Sequence, residues 1–260
     1  MDRNKLGIFG DSFADLNPID KIDISAGRAP WPIQLEMLLN KKAIHTGKSA
    51  TSSWFAYKKF INEYKNIDTA VFCYSFNHRW YNINIDYGVA PIYNVISPDQ
   101  LSVVHPDFKS LAKKLVDVHP DLYDPQLDIF VAQHIFNSVN DICREQNIKL
   151  VNILTFEEVQ SKPLTIDISN NAGTILTNLS DISGNEDKNF IANAKDILEL
   201  YRQDLFSCDK RFCHINPHNN TVLAHIIKDC LENGVRYKNL AHDDRFSYDI
   251  EHLRYVLDEN

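Results

Sequence analysis

Lys5-Leu6-Gly7-Ile8-Phe9-Gly10-Asp11-Ser12-Phe13-Ala14 is the stretch whose reading decides the fold of this chain. A short apolar run, Leu6 to Phe9, is closed by glycine and followed at once by Asp and Ser. That pattern is a buried strand ending in a tight turn. Strands of this kind, buried on both faces, belong to parallel sheets, and parallel neighbours require crossover helices. The sequence beyond Ala14 is therefore expected to alternate helix and strand.

It does so. Trp31 to Leu39 has helical spacing with Pro32 near its start, where a missing N–H costs little, and Lys42 to Thr46 reads as a second strand. Ser52 or Ser53 caps a helix running to about Glu63, and the β-branched and aromatic run Thr69 to Tyr74 is a third, central strand. From His78 to about Asp124 the pattern gives way to aromatic, Pro-rich and Asp-rich sequence with one short amphipathic piece, Phe108 to Val118, so residues 78–126 read as an insertion. Leu127 to Gln146 then carries apolar residues at helical spacing and Lys149 to Leu154 is a fourth strand. Ile175 to Leu179 supplies a fifth strand, Phe190 to Leu205 a helix, and Asn219 to Leu231 a late amphipathic helix. Residues 233–260 form a polar, aromatic C-terminal extension.

The expected architecture is a single α/β domain with a mainly parallel sheet of about five strands and helices on both faces, because right-handed crossovers leave few other arrangements. Sites in such sheets lie beyond the carboxyl ends of the strands. Three segments fall there: Gly10 to Ala14, Gly47 to Ser53, and Ser75 to Arg79.

Composition narrows the function classes. A length of 260 residues buries a sizeable core, and 44% hydrophobic with 24% charged residues is ordinary for a folded soluble chain. A net charge of -8 argues against a broad grip on nucleic acid. The apolar run at the N-terminus is too brief for a secretory signal or a membrane span, so the expected compartment is the cytoplasm. Five cysteines, an odd number spread along the chain, fit reduced thiols better than a disulfide framework. Gly10 lacks the following glycines of a dinucleotide loop, and no cofactor is implied.

Ser12, presented at the sheet edge by a glycine turn, has the position of a nucleophile, and a serine nucleophile needs a base. Of ten histidines, His214 stands out, because it lies in a loop, Cys213 to Asn220, that runs directly into the late helix. The plain alternatives are an ordinary Gly-Asp-Ser turn and a surface histidine.

These residues resemble those of the SGNH (GDSL-like) hydrolases, a family of serine esterases and acylhydrolases. Ile8-Phe9-Gly10-Asp11-Ser12-Phe13 matches the first family block in full, which maps the nucleophile to Ser12. In the last block His214 is followed by Asn216 and, ten residues on, by Ala224, a register that favours His214 over His218 as the base. The third block, normally Gly-x-Asn-Asp, reads Ser75-Phe76-Asn77-His78 and keeps Asn77, whose side-chain amide helps hold the oxyanion. The second block reads His45-Thr46-Gly47-Lys48-Ser49-Ala50-Thr51-Ser52 and puts Ala50 at the backbone-donor position, with Gly47 as the alternative register. The family aspartate should stand three residues before the histidine, but that position is Arg211; Asp209 is the nearest candidate, and without it a Ser–His dyad remains.

The resemblance implies a flavodoxin-like three-layer α/β/α sandwich and cleavage of an acyl ester, such as a short acyl group on a carbohydrate. Ser12 and His214 would carry the chemistry, with an oxyanion hole from the N–H groups of Ser12 and Ala50 and the Asn77 amide. It leaves open the acyl group, the alcohol, and whether water or another alcohol accepts the acyl. The substituted blocks also admit a catalytically inactive, carbohydrate-binding or structural module on the same fold. A third reading uses Cys208, Cys213, His214 and His218 as metal ligands, but the spacing lacks the paired Cys-x-x-Cys of common zinc sites, so no metal is expected. Trp80, Tyr81, Tyr87 and Tyr93 either line a substrate pocket or pin the insertion to the body.

Overall fold

A computed structural model describes residues 4–16, 29–48, 51–74, 125–154, 173–177, 179, 215, 217–238, 240 and 243–246, with Ser12 described by its backbone. Six strands form one all-parallel sheet: β1 (Lys5–Phe9), β2 (Lys42–His45), β3 (Thr69–Cys73), β4 (Lys149–Leu154), β5 (Thr174–Leu176) and β6 (Tyr237–Lys238), in the order β2-β1-β3-β4-β5-β6. Among the described residues four α-helices accompany them: α1 (Trp31–Leu39), α2 (Ser53–Glu63), α3 (Pro125–Glu145) and α4 (Pro217–Asn233).

The order 2-1-3-4-5 is the flavodoxin-like arrangement of a doubly wound sheet. Its two covered faces follow from period-two burial. Along β3 every residue is buried, and alternate side chains face opposite layers. Val71 and Cys73 join Leu6, Ile8, Val151, Ile153 and Ile175 beneath α1 and α4, packed against Trp31, Leu35, Leu223 and Ile226. Ala70 and Phe72 join Phe9 and Leu154 on the other side, against Ala56 and Phe60 of α2 and Ile135, Phe136 and Val139 of α3. The result is three layers, helices over sheet over helices.

The second layer is aromatic. Phe9 meets Phe60 edge-on with ring centroids 5.4 Å apart, and Phe72 contacts Tyr74 at 4.6 Å. One polar chain crosses it: the Tyr74 hydroxyl donates to Asn152 Oδ1 at 3.2 Å, and Asn152 Nδ2 donates to Asn140 Oδ1 at 3.1 Å. Asn152 occupies a core-facing position of β4, and these bonds are what makes an amide tolerable there.

Local chemistry fixes the element ends. Ser52 caps α2 by accepting the Phe55 N–H at 3.4 Å. α1 ends on Asn40 in the left-handed region at φ 49, where Asn is one of the few tolerated residues; its N–H closes on the carbonyls of Glu36 and Met37. At the opposite, amino end of the sheet, Asp68 aligns three strands: its N–H donates to the Lys5 carbonyl at 3.1 Å and its carbonyl accepts the Lys149 N–H at 2.9 Å.

Apart from shifts of one or two residues at the ends of β2, β3 and α3, the last of which begins at Pro125 inside the expected insertion, the structure differs from the sequence reading in three places. β5 starts one residue earlier than expected and ends sooner, although Thr177 N–H still continues toward the Leu154 carbonyl at 3.1 Å. α4 is longer at both ends than the expected 219–231, beginning at Pro217, a residue suited to the first helical turn. The sheet has a sixth strand, Tyr237–Lys238, inside the segment read as an extension, so part of that tail belongs to the fold. The expected piece at 108–118 and the helix at 190–205 lie outside the described residues, as does most of the insertion.

Candidate active site

Strand order reverses between β1 and β3: the chain leaves β1 toward β2 on one side and returns to β3 on the other. The crevice at the carboxyl ends of those two strands is the general ligand position of open α/β sheets. Gly10 stands at its floor. A Cβ on Gly10 would come 2.7 Å from the Cβ of Cys73, so the two strand exits approach as closely as a glycine permits.

The next residues form a single 3₁₀ turn, Ser12–Ala14. Asp11 ties it from both of its groups: the side-chain Oδ1 accepts the Phe13 N–H at 3.1 Å, and the backbone carbonyl accepts the Ala14 N–H at 3.1 Å. A carboxylate bonding the backbone two residues on is a local turn-former. Asp11 is buried, and burial of Cys73, with a smaller contribution from the Asp11 charge, pushes that thiol well above its ordinary range.

The loop after β2 lies along this turn. Thr46 N–H donates to the Ile8 carbonyl at 3.0 Å and Lys48 N–H to the Gly10 carbonyl at 3.2 Å. Between them, Gly47 presses on the turn so tightly that a Cβ would sit 2.2 Å from the Ala14 carbonyl oxygen. Thr51, wholly buried, then bonds the Lys48 carbonyl through its hydroxyl at 2.6 Å and leads into the Ser52 cap.

A third segment reaches the same place from the far end of the chain. Ile215 is buried in the core cluster that contains Ala14, Trp31 and Ala224. The Asn220 side chain, in the first turn of α4, donates from Nδ2 to the Ile215 carbonyl at 2.8 Å and accepts the Trp31 N–H on Oδ1 at 2.8 Å. Trp31 in turn donates from Nε1 to the Phe13 carbonyl at 2.9 Å. The residue after Ser12 and the residue after His214 are thus joined through two side chains, across 18 positions at one bond and 189 at the other.

Of the sequence-derived candidates, Ser12 lies on the described turn by its backbone, and Gly47 lies against that turn. Ala50, Asn77, Asp209 and His214 lie outside the described residues. His218 is exposed on α4, with its Nε2 2.9 Å from the Arg245 carbonyl oxygen, an interaction in which the ring nitrogen donates. Cys208 and Cys213 are outside the described residues, and among those that are described no group of three or more His, Cys, Asp or Glu side chains is placed to hold a metal. No described helix is long and apolar enough to cross a membrane.

Sequence reasoning placed Asp11 and Asn220 within the flagged segments but gave neither a role, and it did not connect Trp31 to this region. The signal for Asp11 was present in its place beside Ser12, since Asp readily bonds the backbone two residues on. For Trp31 and Asn220 the only hint was composition: a tryptophan between Pro30 and Pro32, and paired asparagines opening a helix whose interior would not favour them.

No protein-family model matches the chain, and no curated protein matches it. Among the solved structures similar to it are two. One is of a protein assigned to the G-D-S-L lipolytic family from Desulfitobacterium hafniense DCB-2, 9% identical, covering 88% of this chain and 99% of that one, with a TM-score of 0.39. The other is the acetyl xylan esterase AlAXEase, 16% identical, covering 87% of this chain and 99% of that one, with a TM-score of 0.41. The fold of the present chain stands on its own strand order and register.

Proposed function

We propose that this chain is a serine-dependent ester hydrolase, built as one domain with residues 78–126 inserted, and that it acts on a short acyl ester such as an O-acetyl group on a carbohydrate. The observation that carries the reading is the glycine-floored turn bearing Ser12 at the strand-order reversal, where a doubly wound sheet offers its ligand crevice.

In this reading Ser12 Oγ attacks the ester carbonyl carbon while His214 takes the hydroxyl proton, giving a tetrahedral oxyanion. Its charge is met by the backbone N–H groups of Ser12 and Ala50 and by the Asn77 amide, with Gly47 as the alternative to Ala50. Collapse breaks the bond to the alcohol, which leaves with the proton held by His214. Water then attacks the acyl-serine, giving its proton to His214, and the second collapse releases the carboxylic acid and restores Ser12. Asp209 orients the imidazole and stabilises its charged form. Support comes from the complete first block at residues 8–13 and from the anchoring of Ile215, next to His214, in the cluster that holds Ala14.

The test is labelling with a serine-directed fluorophosphonate together with turnover of aryl acetates and acetylated sugars. A single adduct on Ser12, and turnover lost in Ser12→Ala, are expected. A purified, folded protein that neither labels nor turns over any ester sinks the hydrolase reading in favour of a binding module.

A further inference from the structure

We propose that Trp31 and Asn220 are positioning residues that hold the nucleophile turn and the base loop in register; the catalytic part of this role rests on the hydrolase reading above. The inference starts from the first turn of α1. Its N-cap, Pro30, offers no side-chain acceptor, and the helix begins with orphan N–H groups that need partners. Asn220 supplies one from another helix by accepting the Trp31 N–H at 2.8 Å, and so acts as a cap in trans.

An aspartate would serve as well for that cap alone. What an aspartate lacks is the second function of the amide here. Nδ2 donates to the Ile215 carbonyl at 2.8 Å, and a carboxylate at this point would set oxygen against oxygen. An amide is the group that holds an N–H donor and a carbonyl acceptor in one plane, and Asn220 uses both. Trp31 then extends the link, because its indole carries one donor and that donor goes to the Phe13 carbonyl at 2.9 Å.

Trp31 is 1% exposed and Asn220 7% exposed. The two bonds of Asn220 are buried and that of the indole to Phe13 is partly so; water competes poorly with the first two, and their geometry constrains their partners. Phe13 adjoins Ser12 and Ile215 adjoins His214. The link therefore fixes the backbone one residue from the attacking oxygen relative to the backbone one residue from the base, through a rigid indole and a short amide.

The test uses the full chain with Trp31→Phe, which keeps an aromatic side chain but removes the Nε1 donor together with part of the indole volume, and Asn220→Asp, which keeps the cap and removes the loop donor. Asn220→Ala, which removes both bonds of the amide, serves as a second variant if the aspartate prevents folding. Turnover of an aryl acetate is expected to lose about tenfold to a hundredfold in kcat with KM within about twofold, as for a small misplacement of reacting groups. Hydrogen exchange read by mass spectrometry is expected to quicken both in peptides covering 10–16 and in peptides covering 211–217. A kcat that falls only in proportion to folded protein, or exchange that quickens at one segment alone, overturns the proposal. Exchange is independent of chemistry: coupled segments in a protein without esterase activity would remove the catalytic role and the hydrolase reading together. An active enzyme whose variants keep full kcat and unchanged exchange would remove the positioning role and leave the hydrolase reading intact.

Discussion

Gly47 and Ala14 are packed so closely that the place of a Gly47 side chain is already taken by the Ala14 backbone: an added Cβ would lie 2.2 Å from its carbonyl oxygen and 2.3 Å from its carbonyl carbon. Neither neighbour is a flexible side-chain end, so relief requires the 12–14 turn or the 46–48 loop to move. Gly47→Ala is accordingly expected to lower stability by about 1–3 kcal/mol, the usual cost of overpacking. Urea denaturation of wild type and variant measures it, and an unchanged midpoint would mean that the turn yields without strain.

Catalytic residues behave differently from packing residues. On the proposed hydrolase reading, Ser12→Ala is expected to abolish turnover of a short acyl ester, and Asn77→Ala to lose about 10²–10³ in rate as the proposed oxyanion donor is removed. Both proteins are expected to keep the wild-type stability within about 0.5 kcal/mol. Full activity in either purified variant would dismiss the role assigned to that residue.

Three thiols are expected to be inert in the native protein. Cys73, Cys143 and Cys230 are buried free thiols, and burial pushes Cys143 and Cys230 up to about 12 and Cys73 well above its ordinary range. Reactivity needs the thiolate and access, and these lack both at neutral pH. Maleimide treatment followed by peptide mass spectrometry should leave all three unmodified until denaturant is added.

Acid should loosen the end of the sheet. Asp229 on α4 accepts from the Tyr237 hydroxyl on β6 and from Asn233, at 2.6 Å each, and these bonds lower its carboxyl below the ordinary value of 3.8. A carboxyl depressed in the folded state contributes stability that is full above its unfolded value and is lost as pH falls through the folded one. Asp229→Asn should therefore be less stable than wild type at pH 6, with the gap narrowing below about pH 4 and closing at lower pH. Paired melting curves across that range test it, and a gap independent of pH would assign the effect to packing.

The layered fold was legible because its signals are local. Lys5 to Phe9, Trp31 to Leu39, Ser53 to Glu63 and Lys149 to Leu154 are each bounded by a residue with a mechanical reason to stop: Gly10, Pro30 and Asn40, Ser52, and the turn at Asn147 with φ 55. β6 was not legible, since two residues carry no period and Tyr237–Lys238 pair only because β5 offers an edge. Ser12 was readable as part of a short motif. The Trp31 and Asn220 link was not, because nothing near residue 31 announces a hydrogen bond to a side chain 189 positions away.

The all-parallel order also governs how the chain reaches its native state. No two neighbouring strands are joined by a hairpin, and the central pair matches Thr69 with Lys149. A ribosome must therefore release well over half of the polypeptide before the middle of the sheet is able to zip. Until then Phe9, Phe60 and Phe72 have no α3 to cover them. High contact order of this kind slows folding and leaves apolar surface open to other chains. Dilute refolding and chaperone assistance at the nascent stage suit this topology better than rapid spontaneous collapse.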